Sequence, residues 1–143
     1  MLSLRSTSTL LLFSLMAAAC GGGTSGQAQT PASVAQQRLQ GSWRLLGFQP
    51  LLQLEAPLQG LLDSQLRAMT VAFDAGTFTA TGPGVDTGGR VEITSASGDS
   101  LTGRVYDRAG AGYGITGQFV GTQFRFTSTD SPWGGSGVLE RSR

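Results

Sequence analysis

The chain has 143 residues, of which 39% are hydrophobic and only 13% charged, and its 22 glycines far exceed the usual share of about 7%. This length provides one domain with a single modest core rather than two domains. All ten basic residues are arginine and nine residues are acidic. The near-neutral balance argues against nucleic acid as a partner, because a phosphate backbone requires a positively charged face.

Residues 1–19 have the pattern of a signal peptide for export. A single basic residue, Arg5, precedes the apolar run LLLFSLMAAA. An apolar run of about ten residues is too short to cross a bilayer, but it fits the hydrophobic region of a secretory signal. We therefore expect the protein to reach the cell envelope of a bacterium.

Cys20 is the only cysteine of the chain and directly follows Ala18 and Ala19. This arrangement resembles the bacterial lipobox, in which the cysteine becomes the lipidated first residue of the mature protein, although Ala17 stands where the lipobox usually has leucine. The alternative is ordinary cleavage after the small residues, which leaves Cys20 as a free thiol. An unpaired thiol in an oxidising compartment forms stray disulfides, and no second cysteine is present to pair with it. We therefore predict a lipid anchor at Cys20, in the outer membrane or on another periplasm-facing membrane surface.

The segment after the cysteine has the composition of a flexible linker. Residues 21–37 are rich in Gly, Ser, Thr, Gln and Ala and contain neither a charge nor an aromatic residue. We expect a tether over 20–38 and a folded domain over 39–143.

The folded domain begins with LQGSWRLLGF, a first strand, and leucines at three- and four-residue steps then predict one short helix over about 57–66. From Met69 onward the apolar residues alternate with polar ones, in MTVAF, TFTAT, RVEIT, LTGRVYD, GYGITGQFV, QFRFT and GGSGVLE. Glycine-rich turns separate these runs. The pattern predicts an all-β fold: a small antiparallel meander barrel of about eight strands, with one short helix between the first and second strands. A barrel is favoured over a sandwich because no lysine protects an exposed edge.

The GSW triplet, Gly41 to Trp43, resembles the glycine-x-tryptophan signature of the lipocalin and wider calycin group. The second lipocalin signature, threonine-aspartate-tyrosine, is missing, and the domain is shorter than typical lipocalins. The resemblance implies that Trp43 closes one end of a barrel and that an arginine near the C-terminus packs across its ring. Arg141 is the first candidate for that arginine and Arg143 the second. Small envelope barrels, including periplasmic protease inhibitors and META-type domains, match the same features.

The resemblance also implies a barrel interior that binds a small apolar ligand. Candidate ligand contacts are Trp133, Phe73, Phe119 and Tyr113. Trp133 lies in DSPWGGSG, where the glycines leave room for a ring. In the alternative interpretation, Trp133 plugs a filled barrel, and the protein is an interaction module of the envelope, such as an inhibitor or assembly accessory.

The residue types that the chain lacks argue against catalysis. The chain has no histidine, and its one cysteine is Cys20, so neither a Ser-His-Asp nor a Cys-His arrangement forms. Ordinary zinc sites lose their usual ligands for the same reason. Asp74, Asp99, Asp107 and Asp130 all lie in turn segments, where aspartate caps its own backbone. We therefore predict a protein that is not an enzyme and uses neither a metal nor a cofactor.

Overall fold

The computed structural model describes residues 29–129 and 134–143. They form a closed antiparallel barrel whose eight strands follow one another in chain order, so that the first strand also pairs with the last. The predicted eight-stranded meander barrel with a helix between its first two strands is confirmed. The elements are α1 (Pro31–Leu39), β1 (Gly41–Pro50), α2 (Ala56–Arg67), β2 (Thr70–Asp74), β3 (Thr77–Gly82), β4 (Val85–Ser97), β5 (Ser100–Asp107), β6 (Gly112–Val120), β7 (Gln123–Ser128) and β8 (Gly135–Arg141).

The core lies inside the barrel because the strands alternate between apolar and polar residues. In β1, for example, Trp43 and Leu45 are buried while Ser42 and Arg44 are exposed. Cross-strand partners share a face, so the apolar residues of neighbouring strands meet in the interior, as Phe119 does with Phe124. A period of two therefore separates an apolar inner face from a mostly polar outer face, with register shifts between Leu45 and Gly47 in β1 and between Ile93 and Ser95 in β4.

The helix α1 was not predicted, and it begins inside the segment expected to be a tether. The Oγ1 of Thr30 accepts the backbone N–H of Ser33 at 3.2 Å, and Pro31 occupies the first turn. Only two of its residues, Ala35 and Leu39, are buried against the barrel. Two apolar residues are too few to produce a visible helical period in the sequence, although they are enough to attach the helix to the core.

The helix α2 agrees closely with the helix predicted at about 57–66. It has no fully buried residue. Leu66 packs against the core, whereas Leu58 and Leu61 are 54% and 57% exposed. Within the described part of the chain, neither helix is long and apolar enough to span a membrane.

The meander gives the barrel two different ends. The closed end carries α1, the β2–β3, β4–β5 and β6–β7 turns and the C-terminus. The other end, called the α2 end here, carries α2 and the remaining connections. There the backbone N–H of Leu51 donates to the carbonyl oxygen of Gly134 at 2.8 Å, which joins the segment before α2 to the start of β8.

Gly89 allows an unusually close approach of β4 and β5. A Cβ at this position would overlap the carbonyl oxygen of Tyr106 and lie 3.1 Å from the Cα of Asp107. Both are backbone atoms of the paired strand, so the clash is relieved only by opening the ladder.

We expect Gly89→Ala to destabilise the protein by about 1–3 kcal/mol, the usual range for overpacking. The matched control is Gly47→Ala, because a Cβ at Gly47 meets no atom within 4 Å. Urea denaturation of both variants measures the difference. Equal stability of the two variants would contradict this account of Gly89.

Candidate functional site

The barrel encloses an apolar cavity of about 210 Å³. Its wall consists of thirteen apolar residues from α1, the segment before β2 and the inner faces of the strands. They are Leu39, Leu45, Met69, Val71, Phe73, Phe78, Ala80, Val91, Val105, Ile115, Phe124, Phe126 and Leu139. With this lining, the cavity offers a ligand apolar contact and no hydrogen bond.

The cavity exists because large and small inward residues are unevenly distributed. Large rings gather towards the closed end, where the Phe119 and Phe124 centroids are 4.9 Å apart and Trp43 meets Phe124 edge to face at 6.5 Å. Elsewhere in the cavity wall, Ala80 contributes little volume. An eight-stranded barrel is just wide enough either to be filled by side chains or to hold one small ligand. Small residues opposite large ones leave this interior partly empty.

The closed end is sealed by Trp43, which is 1% exposed. Its indole Nε1 donates to the carbonyl oxygen of Leu39 at 2.7 Å, which ties β1 to the last turn of α1. The guanidinium carbon of Arg141 lies 4.4 Å from the centroid of the indole ring. The same guanidinium donates to the carbonyl oxygen of Gln40 at 2.8 Å and to that of Arg38. The expected contact between Trp43 and Arg141 is therefore present, and the stacked arginine is Arg141 rather than Arg143.

A second arginine, which sequence reasoning missed, holds α1 across the closed end. The guanidinium carbon of Arg38 lies 4.1 Å from the Phe119 ring centroid, and its Nη1 forms an ion pair with Asp99 at 2.9 Å. The sequence did not indicate this role of Arg38, because the helix that contains it was not predicted. Arg38 and Arg141 thus fix α1 from opposite sides.

The structure places the predicted ligand contacts in different environments. Phe73 lines the cavity. Phe119 is buried, but it packs between Phe124 and Arg38 and is not part of the cavity wall. Tyr113 is half-buried near the α2 end, outside the cavity wall, where its hydroxyl donates to Asp107 Oδ2 at 3.4 Å. Trp133 and Cys20 lie outside the described residues.

The acidic residues of the turns play structural roles. Asp107 Oδ1 accepts the backbone N–H of Ala111 at 2.9 Å within its own turn, as predicted for a turn aspartate. Asp99 pairs with Arg38 across the closed end instead. In the two described ranges, no group of three or more metal-ligating side chains comes together. Asp130 lies outside the described residues.

We expect Arg141→Ala to destabilise the protein by about 1–3 kcal/mol, because it removes a cation-π contact and leaves backbone carbonyls without their charged donor. The control, Arg143→Ala, removes the neighbouring charge and should change stability by less than about 0.5 kcal/mol. Urea denaturation reports both values. An equal loss of unfolding free energy in the two variants would show that the contact between Arg141 and Trp43 does not stabilise the protein.

No protein-family model matches this chain, and a comparison with curated proteins finds no similar sequence. The resemblance of Gly41 to Trp43 to the calycin signature therefore stays a prediction. Its structural counterpart is the sealed end of the barrel, where Arg141 stacks on Trp43.

Proposed function

We propose that this protein is a lipid-anchored lipoprotein of the bacterial cell envelope whose barrel binds one small apolar ligand. The observation that carries the proposal is the cavity of about 210 Å³ with a wholly apolar lining. A cavity of about 150 Å³ with such a lining stays dry and binds benzene, whereas drug-sized ligands occupy roughly 300 Å³ or more. The size supports a ligand such as one ring or a short hydrocarbon segment.

Recognition in such a site depends on shape and burial. Each Å² of apolar surface removed from water contributes about 25 cal/mol, and the wall provides no polar partner that would select one functional group. The site therefore favours a class of compounds over a single molecule. Phe73, Phe78 and Phe126 give it flat aromatic surfaces.

The proposed route for the ligand is through the α2 end. At the closed end, Trp43, Leu39 and Arg141 leave the indole almost fully buried. At the other end, α2 is attached mainly through half-buried leucines and has no fully buried residue. Displacing α2 thus costs less apolar burial than opening the sealed end.

The proposed anchor is an acyl-modified Cys20. Because α1 begins at Pro31, the predicted tether shortens to residues 21–30. Ten residues of flexible chain have a root-mean-square span of roughly 16–19 Å. The anchor would then hold the barrel close to the membrane surface, with its closed end attached to the tether.

We expect Cys20→Ala to abolish acylation and to release the protein from the membrane fraction, because the thiol is the proposed attachment point. Metabolic labelling with a palmitate analogue and membrane fractionation measure the two effects. The control, Thr24→Ala, alters the same segment and should stay labelled and membrane-bound. Continued labelling of the Cys20→Ala protein would rule out the anchor.

We expect benzene to stabilise the folded protein, since a ligand that binds only the native state raises its melting temperature. Ala80→Phe places a ring in the cavity and should remove this response. The matched control is Thr79→Phe, on the outer face of the same strand. This variant should still be stabilised by benzene. Thermal melts with and without benzene measure the shift.

Native mass spectrometry of the protein purified from its own envelope then tests the natural ligand. A discrete mass lost on denaturation supports a bound small molecule and gives its mass. A bare protein mass together with no benzene response contradicts the proposal.

A bare protein mass together with no benzene response would favour a second candidate function, an interaction module of the envelope. The observation in its favour is a set of leucines that are between 37% and 69% exposed: Leu46, Leu51, Leu52, Leu54, Leu58 and Leu61. Large exposed apolar patches are uncommon on monomers and mark binding surfaces. These leucines belong to β1, the β1–α2 connection and α2.

A further inference from the structure

A groove of about 920 Å³ with a mixed polar and apolar lining runs over the outside of the barrel, and Phe126 lines both this groove and the interior cavity. One wall is α2, and the floor is formed by β5, β6, β7, β8 and the second half of β1. The floor bears a row of hydroxyl and amide side chains: Ser100, Thr102, Thr116, Gln118, Thr127 and Ser136. All but the half-buried Thr127 are exposed. These groups both donate and accept hydrogen bonds.

The helix α2 turns its polar face to this groove. Gln59, Asp63 and Arg67 are spaced four residues apart, share one face of the helix and all line the groove. Leu58 and Leu61 meanwhile lie more than half exposed to solvent. A surface helix normally turns its apolar stripe to the protein and its polar residues outwards. The protein-facing side of α2 is mixed here: Leu62 and Leu66 are half-buried, and so are Gln59 and Asp63. The polar pair lies where it meets a molecule in the groove.

Two arginines of the groove contact no carboxylate, aromatic ring or backbone carbonyl among the described residues. Of the nine described arginines, six contact a carboxylate, an aromatic ring or a backbone carbonyl. Within the described ranges, Arg67, Arg125 and Arg143 have no such contact, and Arg67 and Arg125 both line this groove. Its one carboxylate, Asp63, accepts the Gln59 amide at 3.1 Å. With two arginines and one aspartate, the described lining carries a net charge of +1.

We propose that this groove binds an acidic saccharide chain. Guanidinium groups pair with carboxylates in a two-pronged geometry, and the hydroxyl and amide groups of the floor match the many hydroxyls of a sugar. An acidic peptide is the competing occupant, because β1 beyond Leu45 pairs only with β8 and leaves one edge unpaired beside the groove. This proposal is independent of the ligand proposed for the interior.

The test uses the full mature protein with oligogalacturonate, which carries a carboxylate on each sugar, as the probe. Isothermal titration calorimetry measures its Kd for the wild type and for Arg67→Gln and Arg125→Gln. We expect each substitution to weaken binding by about tenfold or more, because it removes a charge-assisted hydrogen bond. The control is Arg143→Gln, the third unpartnered arginine, which lies outside the groove and should keep the wild-type Kd.

All three arginines are exposed and without described partners, so these variants should melt at the wild-type temperature. Binding should weaken as salt is raised, since exposed charges are screened. Three results would overturn the proposal: no binding of oligogalacturonate, equal loss in Arg143→Gln, or equally tight binding of neutral maltooligosaccharide. Tighter binding of a polyglutamate peptide would also overturn it, in favour of an acidic peptide. Ala80→Phe should leave the binding of oligogalacturonate unchanged. A loss of binding in the groove is therefore distinguishable from a loss of binding in the interior cavity.

Discussion

The seal at the closed end of the barrel depends on the buried indole of Trp43. Its N–H bonds to Leu39 and its ring lies under Arg141, so one side chain connects β1, α1 and β8. Arg141 in turn satisfies two backbone carbonyls where α1 passes into β1. A barrel without this seal would expose its apolar interior to water at this end, and burial of apolar surface away from water is the main favourable term in folding.

The two faces of the same strands carry different chemistry. The inner faces are apolar, with Ala80 small enough to leave space between larger side chains. The outer faces of β5 to β8 carry hydroxyl, amide and guanidinium groups. Because successive side chains of a strand point to opposite sides, the two surfaces are separated by only the thickness of one sheet. This separation allows the interior and the groove to be altered independently by substitutions at neighbouring positions.

The orientation of α2 links the remaining features. Its leucines divide between the core, where Leu66 packs, and the solvent, where Leu58 and Leu61 lie. Its polar stripe faces the groove. A helix without a fully buried residue is suited to move in the proposed ligand exchange, and its exposed leucines are available to the proposed protein partner. The helix thus borders the groove and carries part of the leucine surface, and it touches the core through Leu66.

The sequence by itself determined the architecture, because residue alternation and turn chemistry are local: the eight strands and the helix near 57–66 follow from neighbouring residues. The position of Trp43 at one end of the barrel was expected only from the resemblance of the GSW triplet. It did not reveal α1, whose attachment rests on Ala35 and Leu39 alone. The cavity, the choice of Arg141 over Arg143 and the outward leucines of α2 were decided by the tertiary structure. Each depends on register and on the summed volume of side chains from distant strands, and no local pattern encodes these. For the same reason, Phe73 lies in the cavity wall while Phe119, equally aromatic and equally periodic, packs beneath Arg38.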